Sequence, residues 1–385
     1  MMMMPLTIHK LNPHTVDAFK QLLIEAVGEP SLVPGGHRSA WQRWKTILKR
    51  PLLHVVYHSV ADTLMVSPRL LPALYIALLE RLPVVACLLR QDRFTPQRWY
   101  VEQSHVRANH TEAYAQVLYY VLSHYAAQGA GCFVAYVEPE APLQAQVLPQ
   151  LGFHLAHRRL LGDITPQLEA WIKATQEAPP SSTPTEDPPW RWMRATHHHA
   201  EELARCYNHQ LPDLWRQALH KHPAHFYPSL NPFNTAKLDD RWQSDFSQHP
   251  QRWLWEQRHP STGQWQVEGF VEVMTSPYNA SRVQVSVFTQ QVFNKALTPL
   301  LQALLVHVWH HTPQRPSAVA LCYWSYQQGV WEALGIPQRP ETLNETLVYI
   351  KDYHCHTQQG SKSSLGLLRG GFRATPARGA GLSPI

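Results

Sequence analysis

Two short apolar runs, CFVAYV at 132–137 and AVALCYW at 318–324, constrain this chain more than any other feature. Each follows a long amphipathic stretch and precedes a short helical one that stops on glycine. The first ends LQAQVLPQLGF at Gly152-Phe153, and the second ends QQGVWEALGIP at Gly335-Ile336. A glycine at that place suits a helix end, because it enters the left-handed conformation without a Cβ penalty. Phe153 and Ile336 then start the next strand. The order helix, apolar strand, short helix, glycine, strand is thus written twice.

The rest of each copy follows the same order. A strand-like segment running into a helix opens both halves: LTIHKLNPHTVDAFKQLLIEA from Leu6 and WRWMRATHHHAEELARCYNHQ from Trp190. Asn12 and Thr196 stand at helix-cap positions. Strands come next, at 83–90 and 98–106 in the first half and at 267–274 and 283–288 in the second. The second-half pair alternates apolar and polar residues, the mark of antiparallel strands with one buried face. Val117, Leu118, Val121, Leu122 and Tyr125 give the first long helix its apolar stripe. Leu297, Leu300, Leu301, Leu304, Leu305 and Val308 do the same for the second. The segment 28–82 has no counterpart, and its stretches SAWQRWKTILKRP and PRLLPALYIALLERL predict a helical insertion or an enlarged lid.

Between the halves lies KATQEAPPSSTPTEDPPW, whose proline, serine, threonine and acids carry no periodicity and read as an extended linker. With 385 residues exceeding one ordinary core, the expected division is a domain at 1–173, a linker at 174–189, a second domain at 190–356 and a disordered tail at 357–385. Lys362, Arg369, Arg373 and Arg378 make the tail basic, with no acid among them. They supply much of a net charge of only +6, which leaves no concentrated basic stripe for a dedicated nucleic-acid site. The tail offers a place for a protein partner. Five cysteines form no CxxC pair, and Cys87, Cys132 and Cys322 sit in apolar runs. That usage suits a reducing compartment. No apolar run reaches the length of a membrane span, and MMMMPLTIHKL lacks a signal core, so a cytoplasmic location is expected.

The succession of elements, and above all the run from Tyr114 to Phe153 closing on QLGF, resembles the GNAT superfamily of N-acetyltransferases. The likeness is best from Thr95 to Leu161, with a weaker copy from Trp265 to Tyr349. It implies an α+β fold of two GNAT-like domains, each a mixed, mostly antiparallel sheet flanked by helices. It also implies acetyl-CoA as co-substrate, an amine as acceptor and no metal. In that family the cofactor's diphosphate rests on backbone amides opening the long helix, in a Q/R-x-x-G-x-G/A turn, where free N–H groups and the helix dipole favour an anion. The matching residues here are His110, Thr111, Glu112, Ala113, Tyr114 and Ala115. His110 replaces the Arg or Gln, and Ala113 the first glycine. In the second half the match is Phe293-Asn-Lys-Ala-Leu-Thr298, followed by Pro299, with no glycine and one donor fewer. The general acid the family often draws from a tyrosine falls on Leu148 and Trp331. Glu102, in YVEQSHV, is the candidate base.

Two readings follow from the resemblance. One is an acyl-CoA-dependent N-acyltransferase using 110–115 and Glu102. The other is an inactive pair that binds a protein or senses acyl-CoA, in keeping with the missing glycines and tyrosines. The histidine run 197–199 cannot converge on one metal ion if helical, since successive side chains diverge by about 100°. His354-Cys355-His356 has no second pair at finger spacing.

Overall fold

The computed structural model describes residues 6–10, 73–92, 94–107, 110–139, 141–177, 190–227, 250–259, 261–275, 282–311, 316–327, 329–336 and 342–353. Asn12, the stretch SAWQRWKTILKRP and the tail lie outside them.

The first half contributes β1 (Leu6–Lys10), β2 (Ala73–Leu79), β3 (Leu82–Gln91), β4 (Arg98–Val106), α1 (Thr111–Ala127), β5 (Cys132–Val137), α2 (Pro142–Gln150), β6 (His154–Asp163) and α3 (Thr165–Glu177). The second contributes β7 (Trp190–Arg194), α4 (Ala200–Gln210), α5 (Asp213–Leu219), β8 (Gln251–Arg258), β9 (Trp265–Thr275), β10 (Arg282–Thr289), α6 (Thr298–His311), β11 (Ala318–Trp324), α7 (Val330–Ala333) and β12 (Thr342–Asp352). All twelve strands join one sheet, in the order β1-β2-β3-β4-β5-β12-β6-β11-β10-β9-β8-β7.

That order contains an exchange. β12, the last strand of the second half, pairs antiparallel with β5 of the first, Tyr349 opposite Ala135. β6, the last strand of the first half, pairs antiparallel with β11 of the second, Cys322 opposite Leu161. The two exchanged strands then pair with each other, Val348 opposite His157. Each half closes its sheet with a strand of the other.

Two readings of the sequence are corrected. Ala73–Leu79, expected in a helical insertion, is strand β2 between β1 and β3. A continuous apolar run buried on both faces, as ALYIA is here, has no periodicity to separate strand from helix. The hairpin turn that would have marked it is Glu80-Arg81, with φ of 50° and 69°. Such turns usually carry Asn-Gly. The linker also starts later than read, since Lys173–Glu177 completes α3, helped by Thr175 Oγ1 donating to Trp171 O at 2.8 Å.

One face of the sheet carries two apolar clusters. Tyr75, Cys87, Val101, Phe133 and Ala135 meet Tyr114, Val117 and Val121 of α1. Val271, Val285 and Leu321 meet Leu301 and Leu304 of α6. On the opposite face Val134, Val348, Phe270 and Phe288 meet Leu203, Cys206 and Tyr207 of α4 and Phe226. That second face also buries charge. Asp92, on the loop after β3, accepts from the Phe94 and Thr95 amides at 2.8 and 3.0 Å and from Arg98 and Tyr100 at 3.2 and 3.0 Å. His225 of the second half lies 3.3 Å away, and Arg98 also donates to His220 O at 2.6 Å. Burial opposes ionisation of Asp92, but the His225 hydrogen bond and the Arg98 charge outweigh it and hold the carboxyl well below its usual range. This cluster ties the β3–β4 corner to the second half.

Candidate acyl-CoA site

Both halves place a parallel strand pair beside a long helix. β4 and β5 pair from Arg98↔Cys132 to Val101↔Ala135, and the ladder then stops although β4 runs on to Val106. β10 and β11 stop likewise at Ser286↔Cys322. Two parallel strands that part in mid-sheet leave backbone donors and acceptors facing a gap. The halves treat that gap differently.

In the second half a side chain closes it. Gln327 is buried and donates through Nε2 to Val287 O at 3.0 Å. Its Oε1 accepts the Trp324 amide at 3.0 Å, so one carboxamide spans both parted strands. Gln210 of α4 holds it through Oε1 at 2.6 Å. The helix mouth is closed as well. Asn294 Oδ1 accepts the Ala296 amide at 2.9 Å, Asn294 O accepts that of Leu297 at 3.2 Å, and Lys295 O accepts that of Thr298. Pro299 has no amide to offer. Phe293, at the position of the family's charged residue, is buried in the core.

Among the described residues the start of α1 shows no such closure. His110 begins α1 without a side-chain cap, and its O accepts the Tyr114 amide at 3.1 Å. The amides of Thr111, Glu112 and Ala113 meet no acceptor among the described residues, as expected for an uncapped first turn. Glu112 is exposed and bonded to Gln116, and so turned away from the mouth. Ala113 and Ala115 are half-buried and small. The Tyr114 side chain lies wholly in the core, so only its backbone belongs to the mouth. Sequence reading passed over Arg107, whose carbonyl accepts the His110 amide at 3.2 Å and which brings a cation to the same turn.

Glu102 is the first β4 residue past the last pair, and Tyr136 is the first on β5; both face away from α1. The Glu102 carboxylate accepts from Arg90 Nε, and the Arg90 guanidinium lies 4.8 Å from the Tyr100 ring centroid. Taking up a proton at Glu102 would cost that buried pair. Leu148 is core, and Trp331 packs edge-on against Tyr323. Neither holds a transferable proton.

The closing glycines have the expected left-handed φ, 82° at Gly152 and 70° at Gly335. Beside Gly152, Lys351 of the exchanged β12 donates to Leu151 O and so places a cation on the C-terminus of α2. Thr196 opens a short 3-10 turn at 197–199, its amide donating to His199 Nδ1 at 3.0 Å. Among the described residues no group of three or more His, Cys, Asp or Glu is placed to hold a metal. No described helix is long and apolar enough to cross a membrane.

Parallel strands parting beside a long helix, twice over in one sheet, make a tandem GNAT-type fold. Solved structures similar to the chain are of this kind. One is a tandem GNAT protein from the clavulanic acid biosynthesis pathway, at 14% identity and TM-score 0.44, covering 90% of this chain and 98% of that one. Another is a probable N-acyltransferase from Enterococcus faecalis V583, at 10% identity and TM-score 0.47, covering 92% and 74%. A third is a GCN5-related N-acetyltransferase from Sphaerobacter thermophilus, at 10% and 0.41, covering 90% and 95%. No family model and no curated protein matches the chain.

Proposed function

We propose that the first half binds acetyl-CoA or a related acyl-CoA and transfers its acyl group to an amine, while the second half serves as its structural partner. One observation carries the reading: among the described residues the three amides of Thr111, Glu112 and Ala113 stand unpaired at the start of α1, whereas before α6 the amides of Ala296, Leu297 and Thr298 are taken up and Pro299 has none. Unpaired first-turn amides with the positive end of a helix dipole suit a diphosphate. Arg107 and His110 stand beside them, and Ala113 and Ala115 permit close approach. The pantetheine arm then runs into the gap beyond Val101 and Ala135, where the parallel ladder has ended. At its end the uncharged amine attacks the thioester carbonyl, the C–N bond forms as the C–S bond breaks, CoA leaves as thiolate, and the adduct's N–H proton passes to water.

A second reading, acyl-CoA binding without turnover, is favoured by the Glu102–Arg90 pair, which leaves the expected base engaged. Calorimetry on the full chain tests the common part of both. Ala113→Glu puts an acid against the diphosphate and weakens acetyl-CoA binding on the order of 100-fold. Lys295→Glu, the same charge change direction at the second mouth, leaves affinity within about threefold, well under one tenfold step. If the wild-type chain does not bind millimolar acetyl-CoA, the reading is lost. Release of CoA in the presence of amines separates transfer from binding alone.

A further inference from the structure

The C-terminal end of α6, in the second half, carries a pair of side chains that neither strand gap uses. His307 and His311 stand one helical turn apart on one face, with ring centroids 4.0 Å apart. His311 Nδ1 lies 2.8 Å from His307 O. A carbonyl oxygen only accepts, so that nitrogen carries the proton and Nε2 keeps its lone pair. The same bond fixes the plane of the ring, as the outer hydrogen bond of a ligating histidine does. The edge of the sheet supplies a wall. Trp253 of β8 meets the His307 ring edge-on at 4.8 Å, and Trp192 of β7 lies 5.5 Å from it. Trp253 is also 5.7 Å from the His311 ring, and Trp192 stacks on Trp190 at 5.0 Å. Partial burial, and then the neighbouring His311 and His310, hold the His307 imidazole below its ordinary value, which favours its neutral, lone-pair form.

We propose that His307 and His311 form an open seat for a divalent transition metal (Cu2+, Ni2+ or Zn2+), held by one nitrogen of each ring with water in the remaining positions. Metal–nitrogen bonds of about 2.0–2.1 Å at a right angle put two imidazole centroids roughly 4.5 Å apart, so the rings need open by only about half an ångström. Imidazole suits these metals, whereas Mg2+ and Ca2+ require oxygen ligands. His311 is the last residue of α6, so a dication there also meets the negative end of the helix dipole. His310 is exposed and diverges from His311 by about 100°, which keeps it out of the seat. Two protein ligands in place of three or four make the binding reversible and leave the metal exchangeable positions. Chelation across one turn clamps the end of α6, and the site works independently of the acyl-CoA reading.

The test titrates the full chain with Ni2+ in a non-chelating buffer at mildly alkaline pH, read by tryptophan fluorescence and calorimetry. Ni2+ quenches an indole only at short range, so Trp253 and Trp192 report a metal seated on this pair. Wild-type protein shows saturable quenching. His307→Gln and His311→Gln, each checked as folded by thermal melting, weaken it tenfold or more, while His310→Gln leaves it within threefold. Trp253→Phe removes most of the fluorescence response and keeps the calorimetric binding. Ni2+ also raises the melting temperature of wild type and not of His311→Gln. No saturable quenching, or quenching unchanged in folded His311→Gln, overturns the seat. Quenching lost instead in His198→Gln marks adventitious binding at the 197–199 run and overturns it as well. An equal rise in melting temperature with and without His311 overturns the clamp on α6.

Discussion

The two halves share an outline and differ where a ligand would enter. Before α6, Asn294 folds its side chain back onto the Ala296 amide and Pro299 removes another donor. Before α1, His110 offers no such cap. Beyond the parallel ladder, Gln327 stitches β10 to β11 in the second half, while in the first half the pairing ends at Val101↔Ala135 and Glu102 is engaged with Arg90 of β3 instead. A helix start and a strand gap are costly if left bare, so a fold that keeps both must satisfy them internally or hold a ligand there. The second half does the former. On the proposed reading, internal closure makes the second copy scaffold and leaves the first to bind.

That contrast does not make the halves independent, and the largest expected effect follows from the exchange. A chain ending before Thr342 lacks β12, and with it buried Val348, Tyr349 and Ile350 between β5 and β6. Burial of three such side chains is worth about 5–9 kcal/mol, comparable to the whole stability of a typical fold. The truncated chain is expected to be insoluble, or to lack a cooperative melt by circular dichroism. A soluble, cooperatively melting product would show two separable domains after all. Next in size is Asp92→Asn. It leaves the buried Arg98 guanidinium without its carboxylate and loosens the tie to His225, at a cost of about 3–5 kcal/mol in urea unfolding. The sign of the pH effect is fixed by the depressed Asp92 carboxyl. Its stabilisation is complete above the ordinary carboxylate range near 3.9 and is lost as pH falls below it. The variant should therefore converge on wild type in strong acid.

Much of the fold was legible because the signals were local. CFVAYV, AVALCYW and RWYVEQSHV became strands with the bounds their apolar patterns indicated, and both Gly-closed helices end where glycine stands. What escaped was set by tertiary context. β2 reads as helix because its burial on both faces erases the period of two and its hairpin turns on Glu80-Arg81. The exchange of β6 and β12 leaves no local trace, since either strand would satisfy the same neighbour pattern at home. At the site, the helix-start residues could be aligned, but the outward turn of Glu112, the burial of the Tyr114 ring and the Arg90 partner of Glu102 depend on packing. Gln327 carried no sequence signal at all: a glutamine in a turn is unremarkable until the fold buries it between two parted strands.

Two smaller measurements sharpen the comparison. Gln327→Ala unstitches the second gap, leaving Val287 O and the Trp324 amide bare, and should cost about 1–3 kcal/mol of stability. Acetyl-CoA affinity should stay as in wild type, because the helix mouth beside that gap remains capped; tighter or doubled binding would mean that Gln327 alone silences the second half. The closing glycines give the finest contrast. Alanine at either must adopt a left-handed φ, at about 1 kcal/mol. At Gly152 the new Cβ meets only Lys351 Nζ at 3.7 Å, an ordinary contact. At Gly335 it falls 2.8 Å from Gln302 Nε2 and 2.9 Å from Thr298 Cγ2, and Gln302 is held there by its bond to Leu334 O. Moving Gln302 gives up that hydrogen bond, a further loss of about 1 kcal/mol. Gly335→Ala should therefore lower the melting temperature more than Gly152→Ala. Equal shifts would mean that the second half packs its helix start no more tightly than the first, and the contrast between a closed copy and an open one would lose its support at that point.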